Sequence, residues 1–267
     1  MKKITLLTLA FSAFVVANSF ADDIDGKEVP LIDGRPVKGK DNKALIDKKG
    51  GELLTGFKSI FNGKDLSGWE GRSEFWSVKD GVIHGQTTPE HPVLTNTFLI
   101  WTNGEVGDFE LRCSYRIVPN NDKGFGNSGI QYRSKIMDTN YWIVGGYQAD
   151  FEAGKKYSGI LYEERGRGIL AERGQKVVIH ADGKKEEVGS VGKSEEIQAA
   201  IHDKEWNEYR VIAKGNHLQH FINDKQTIDL VDEQEAAAAK KGVLALQIHK
   251  GEPMTVEFKA LRLRMIK

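Results

Sequence analysis

Apolar side chains recur at every second position through long stretches of this 267-residue chain, and four of those runs carry paired polar groups between them. They are DFELR with Glu110 and Arg112, GIQYR with Gln131 and Arg133, GYQAD with Gln148 and Asp150, and ALQIH with Gln247 and His249. This alternation constrains the fold more than any other feature. Successive strand side chains point to opposite faces, so a period of two calls for sheets with one face in a core. Each polar pair then projects to one side of its strand. Placed on neighbouring strands, the pairs form a floor of amides, carboxylates, guanidinia and an imidazole. Such a floor suits a hydroxyl-rich ligand such as a sugar.

Turn signals separate the strand-like runs throughout. FWSVKDGVIHG is the clearest hairpin: two short alternating runs flank Asp80-Gly81, a pair that tolerates the positive φ of a primed turn. Glycine is abundant at 29 residues and proline scarce at 6, which fits many tight turns between short strands. Two helices are predicted. Residues 194–203 open on Ser194 as an N-cap with acids in the first turn. Residues 232–242 run from acids through alanines to Lys240-Lys241 and Gly242. The implied fold class is all-β, a two-sheet antiparallel β-sandwich or jelly roll with short peripheral helices.

Residues 1–21 have the pattern of an export signal: Lys2-Lys3, an apolar run over 4–17, and Ser19-Phe20-Ala21 before the predicted cut. The apolar run is short of the roughly 20 residues needed to span a bilayer, and no later segment could. A periplasmic or secreted protein is expected, with no stable membrane insertion once the signal is removed. Residues 22–55 are charged, lack sustained periodicity, and read as an N-terminal extension, partly ordered at best. The globular domain is expected over 56–267. Lysine plus arginine equals aspartate plus glutamate at 38 each, so no basic excess supports nucleic acid as a partner. Cys113 is the only cysteine. It sits in the alternating run FELRCSYRI, which makes it a core thiol and leaves no disulfide within the chain.

Motif by motif, common chemistries drop out. There is no GxxxxGK[ST] phosphate loop, no HExxH and no GxSxG. The ExDxxE strand motif of retaining glucanases on such sandwiches is also missing. Within the stripe, His249 is the acid–base candidate, because imidazole changes charge near neutrality. Of the other histidines, His84 closes the hairpin and could border a site, while His91, His180, His202, His217 and His220 read as surface. Trp69 and Trp76 read as core. Trp101 and Trp142 lie beside Gly/Asn loops at a rim, where a ring can stack on a pyranose face. Tyr162, Glu163, Glu164 and Arg165 follow a strand and could cap a sugar cleft.

The ordered set FNGKDLSGW, WSVKDGVIHG, DFELRCSYRI, NSGIQYRS, GYQADF, GILYEE, WNEYRV and GVLALQIHKGEPMTVEFKALRL resembles the 3-keto-disaccharide hydrolase domain family over residues 56–267. The resemblance implies a concanavalin A-like jelly roll and cleavage of glycosides already oxidised to a ketone at carbon 3. Such a ketone acidifies the carbon-2 proton. A base removes it, the group on carbon 1 leaves, and water adds afterwards. That route needs a base, an acid and an electrophile for the enolate oxygen, not the paired carboxylates of ordinary glycosidases. By resemblance the catalytic candidates are His249, Asp150, Arg133 and Glu163, with Glu110, Gln148, Gln247, Tyr162 and Trp142 binding an oligosaccharide or glycoside. A divalent metal on Asp150 and His249 is the alternative way to polarise the ketone. Ile248 departs from the pattern, since the family more often has an acid or amide there. A non-catalytic lectin-like module on the same fold is the competing expectation.

Overall fold

The computed structural model describes residues 56–266 and three short strands before them. The chain divides into two units, Met1–Gly56 and Phe57–Lys267. In the first, β1 (Phe20–Asp22), β2 (Glu28–Ile32) and β3 (Arg35–Pro36) form a small antiparallel sheet that starts at the end of the export pattern and runs into the segment that the sequence leaves without periodicity. Residues 1–19, which carry most of the export pattern, lie outside the described residues.

The second unit contains β4 (Lys58–Ser59), β5 (Trp69–Glu70), β6 (Trp76–Lys79), β7 (Val82–Gln86), β8 (Thr97–Trp101), β9 (Phe109–Pro119), β10 (Asn127–Asp138), β11 (Ile143–Glu152) and β12 (Leu161–Glu164). It continues through β13 (Gly168–Ala171), β14 (Gln175–Ile179), β15 (Lys185–Ser190), the helix α1 (Ser194–Gln198), β16 (Asn207–Lys214), β17 (His217–Ile222), β18 (Lys225–Asp232), β19 (Val243–Ile248) and β20 (Met254–Met265). Seven strands make one sheet in the order β13-β12-β11-β10-β19-β8-β5. The other sheet runs β15-β14-β18-β17-β16-β9-β20-β7-β6, with β4 on β20. This is the two-sheet sandwich expected from the alternation. One pairing departs from antiparallel: β14 runs parallel to β18. The chain enters β14 by crossing from the edge strand β13 of the opposite sheet, so its direction is not set by a hairpin.

Local chemistry explains several elements. Asp80 and Gly81 both have positive φ, 49° and 75°, as a primed turn between β6 and β7 requires. Of the two predicted helices, only Ser194–Gln198 forms. Lys193 occupies its N-cap without a side-chain bond, and Ser194 Oγ instead accepts from Arg173 Nε at 3.2 Å. No helix forms over 232–242. Asp232 is buried at the end of β18, where Tyr147 Oη donates to it at 2.5 Å. The residues left over are too few to nucleate a helix without a packed face.

The core lies between the sheets. Tyr115 and Phe151 stack across it with ring centroids 4.0 Å apart, and Phe151 also meets Phe258 at 5.9 Å. Each such buried ring contributes roughly 1.5–3 kcal/mol of burial free energy. Cys113, Trp69 and Trp76 are all buried, as their alternation predicts. His220 is not on the surface: it is fully buried, with Nε2 2.9 Å from the Tyr132 hydroxyl. The alternation of β17 points it inward, and polarity misleads because the Tyr132 hydroxyl pairs with one of its ring nitrogens inside the core.

Candidate active site

Because Tyr147, Ala149 and Phe151 of β11 face the core, Gln148 and Asp150 must face outward. Register then assembles one outer floor. Gly129 pairs with Asp150, and Gln131 with Gln148, while Ile130 opposite Leu246 brings β19 alongside on the other flank. Continuing that register sets Asn127 opposite His249. Across β11, Gln148 faces Tyr162. The result is a cavity of about 530 Å³ floored by Gln148, Asp150 and Gln247, with Tyr162, Glu164 and His249 on its walls. Asn96, Asn127, Tyr157, Arg165 and Lys250 add to its polar lining. The volume is in the range of small-molecule sites.

The floor is an amide relay. Gln131's amide contacts Gln148 Oε1 at 2.5 Å and Ser134 Oγ at 2.8 Å. Gln247 Nε2 donates to Gln148 Oε1 at 3.1 Å, and Gln148 Nε2 donates to Asp150 Oδ2 at 3.2 Å. Gln148 reaches Gln247 by leaning across Gly129. A Cβ on Gly129 would lie 2.5 Å from Gln148 Cγ and Nε2, so glycine is the window through which the relay crosses β10.

Two carboxyls and an imidazole border the cavity. Asp150 is 6% exposed and accepts from Asn127 Nδ2 at 2.9 Å. Burial pushes its carboxyl well above the ordinary value, and the charges of Glu152 and Glu164 add to that against the lowering bonds from Asn127 and Gln148. Glu164 is also raised by burial, while Asn96 Nδ2 donates to its oxygens at 3.2 and 3.3 Å. His249 packs against Phe125, centroids 5.7 Å apart, and its Nδ1 is 2.5 Å from the Lys250 carbonyl. A carbonyl only accepts, so Nδ1 carries the proton and Nε2 presents the lone pair. Burial, with the Lys250 charge, lowers the His249 pKa, leaving a neutral ring near pH 7.

Not every stripe residue joins this floor. Arg133 has φ 47° in a bulge where the β10–β11 register slips, and the bulge turns its side chain away from Gln131's face. Its guanidinium is buried, donating to the carbonyls of Gly107 and Gly215 at 2.7 Å each and to Asp108 Oδ1 at 2.9 Å. Arg133 is therefore a structural tie and not a wall of this cavity. Glu110 and Arg112 lie on β9, in the opposite sheet. There Arg112, Arg210 and Arg264 surround the Glu110 carboxylate. Burial raises it, but the Arg112 hydrogen bond and the Arg210 charge outweigh this and leave the carboxyl below its usual range.

Glu163 points to the side opposite Tyr162, where Arg167 Nε donates to it at 2.7 Å beside Asp232. Glu164, two residues from Tyr162, is the acid that faces the cavity; the period of two carries that signal. Trp142 packs on an apolar patch of the same outer face, against Phe98, Ile100, Val144 and Ala245. Phe98 is on that face because it pairs with Gln247. His84 belongs to the other sheet, with Nδ1 3.1 Å from Glu257. Ile248, at the departure from the family pattern, is fully buried.

Among the described residues, no group of three or more His, Cys, Asp or Glu side chains is placed to share a metal ion. The Asp150–His249 pair expected to hold one therefore lacks further protein donors of the usual kind. Asn127, Asn96 and Lys250 were not legible as site residues. They come from loops or strand ends, and only the register brings them in. No helix among the described residues is long and apolar enough to cross a membrane.

Two solved structures from Parabacteroides distasonis, both of proposed glycosyl hydrolases, share the fold. One matches with TM-score 0.52 and 19% identity over 79% of this chain and 99% of its own. The other matches with TM-score 0.51 and 20% identity over 79% of this chain and 94% of its own. No curated protein matches the chain. The model of the 3-keto-alpha-glucoside-1,2-lyase-like domain matches residues 56–264, nearly the whole sandwich with its amide floor and flanking acids, and the chain belongs to that carbohydrate-active family.

Proposed function

We propose that the cavity on the seven-stranded sheet cleaves 3-keto-glycosides by elimination across carbons 1 and 2, followed by hydration. The observation that carries this reading is the pairing of opposite proton states on one floor. His249 is held neutral with Nε2 as its basic nitrogen, while burial pushes the Asp150 carboxyl well above its ordinary range, toward the protonated form. These are the two states that the elimination consumes.

Nε2 of His249 takes the carbon-2 proton, and the electron pair moves onto the carbon-3 oxygen as an enolate. The enolate re-forms the ketone and expels the carbon-1 substituent, whose oxygen receives the Asp150 proton. A carbon 1–carbon 2 double bond results. Water then adds its hydroxyl to carbon 1 and a proton to carbon 2, returning both residues to their starting states. Lys250 and Arg165, both at the cavity wall, supply positive charge for the enolate. Gln148, Gln247 and Asn127 orient ring hydroxyls, Tyr162 offers a ring face, and Glu164 is the second proton carrier. The N-terminal pattern supports export, which N-terminal sequencing of the mature protein tests: a start at Asp22 is expected, and an intact Met1 overturns it.

The activity test is incubation of the purified protein with 3-keto-trehalose, 3-keto-lactose and the unoxidised disaccharides. Free sugar is expected from the keto forms alone, and at least about a hundredfold less from His249→Ala, the usual scale of a lost general base. Binding without release would leave a lectin-like module. Release that survives His249→Ala unchanged would remove the imidazole from the chemistry.

A further inference from the structure

The β19–β8 ladder ends at Ile248 opposite Thr97. The Lys250 amide lies just beyond it, and the Asn96 side chain supplies the next rung, its Oδ1 accepting from Lys250 N at 3.0 Å. The other end of the same side chain turns the opposite way. Its Nδ2 donates to both oxygens of Glu164, at 3.2 and 3.3 Å. Glu164 closes β12, and β12 and β8 stand four places apart in the sheet. In a flat sheet those strands would be roughly 19 Å apart. Asn96 therefore reaches across a concave face and joins its two rims. Arg165 Nη2 makes a second bond between the same segments, donating to Thr95 Oγ1 at 3.0 Å.

What the rung fixes is the turn that carries the His249 proton. The Lys250 carbonyl accepts from His249 Nδ1 at 2.5 Å. It faces the ring only while the backbone on either side of it keeps its place. Asn96 grips the amide before it. Gly251 after it has φ 143°, a setting that favours glycine. A Cβ on Gly251 would lie 2.6 Å from the Phe125 ring, and that ring also packs against His249. The hydrogen bond at one imidazole nitrogen decides which nitrogen keeps the lone pair. Both ends of the Asn96 amide are committed to protein partners, so its part is played through them. We propose that Asn96 is the positioning residue of this cavity: it holds the Lys250 carbonyl on His249 Nδ1, leaving Nε2 its lone pair, and in the same grip fixes the Glu164 carboxyl on the other rim. The consequence for turnover rests on the reading of His249 as the base; the state of the ring does not.

The test is long-range ¹H–¹⁵N NMR of the full chain with ¹⁵N-labelled histidine, the His249 signals being identified by their loss in His249→Ala. The parent should show Nδ1 protonated and Nε2 bare at neutral pH. Asn96→Ala releases both grips, so the ring should pass to a mixture of tautomers. Its kcat on 3-keto-trehalose should fall roughly ten- to a hundredfold, the range for groups that orient a working histidine at one remove. Asn96→Asp keeps an oxygen for the Lys250 amide and should keep the parent's tautomer, while losing the donor to Glu164. A merely structural asparagine would change Tm and leave the ring as it was. The proposal is overturned if the parent ring carries its proton on Nε2, if Asn96→Ala keeps the parent's tautomer, or if Asn96→Asp loses it as fully as Asn96→Ala does. A ring that changes as expected in a protein that releases no sugar from the keto forms would retire the elimination and leave the role of Asn96 standing.

Discussion

Gly129→Ala should damage the amide floor without replacing any titratable group. The backbone of β10 accepts alanine there, and replacing a strand glycine ordinarily stabilises by roughly 0.5–1 kcal/mol. Here the new Cβ would stand 2.5 Å from Gln148 Cγ and Nε2 and 2.6 Å from Cδ, so Gln148 must swing away. That breaks its contacts with Gln131 at 2.5 Å and Gln247 at 3.1 Å, and weakens the longer ones to Asp150 at 3.2 Å and Gln247 at 3.4 Å. At about 1 kcal/mol net per hydrogen bond, the loss is about 2–3 kcal/mol. For a domain of this size that is about 4–12 °C in Tm. The decisive assay is a double-mutant cycle in urea. In a Gln148→Ala background there is nothing to displace, so Gly129→Ala should become neutral or stabilising. An equal loss in both backgrounds would refute the relay, and so would no loss in the parent.

Four further outcomes follow from the same geometry. The pH profile of kcat/KM should be bell-shaped, its acid limb below the ordinary imidazole value of 6.5 because burial lowers His249, and its alkaline limb set by the raised Asp150. Folded Asp150 binds its proton more tightly than the unfolded carboxyl at 3.8, so it contributes stability at low pH that is lost as pH rises through the folded value. Asp150→Asn should therefore gain stability relative to the parent as pH rises above about 4, while losing turnover; a pH-independent difference in denaturation midpoint would contradict this. Arg133→Met should cost about 3–5 kcal/mol in urea by leaving buried carbonyls unpaired, yet leave KM unchanged in the fraction that folds; a raised KM would return Arg133 to the site. Glu164→Gln should change KM or kcat, whereas Glu163→Gln should chiefly lower Tm by breaking the Arg167 contacts; the opposite pattern would reverse their assignment.

Much of this architecture was legible in the sequence because strand alternation is local. Inward-pointing Cys113, Trp76 and Tyr115, the Asp80-Gly81 turn and the outward pair Gln148–Asp150 all follow from side-chain period and turn chemistry. The same rule, followed strictly from Tyr162, selects Glu164 over Glu163. Arg133 escaped it because one left-handed residue in a bulge reverses the facing of a side chain, and no spacing records that. Glu110 escaped for a different reason. Its own alternation is correct, but which sheet a strand joins depends on pairings far apart in sequence, such as Arg264 opposite Glu110. The 232–242 segment has helical composition, yet Asp232 is buried beneath Tyr147 and Arg167, and that tertiary demand outweighs propensity.

By itself, then, the sequence determined that this chain builds sheets with a polar outer stripe, because period and turn residues act within a few positions of each other. Only the tertiary structure decided which stripe members meet. Register brought Asn127 toward His249 and let Gln148 cross Gly129, while a bulge and a sheet assignment removed Arg133 and Glu110. Burial, which exists only in the packed state, then set the proton states of Asp150 and His249 in opposite directions.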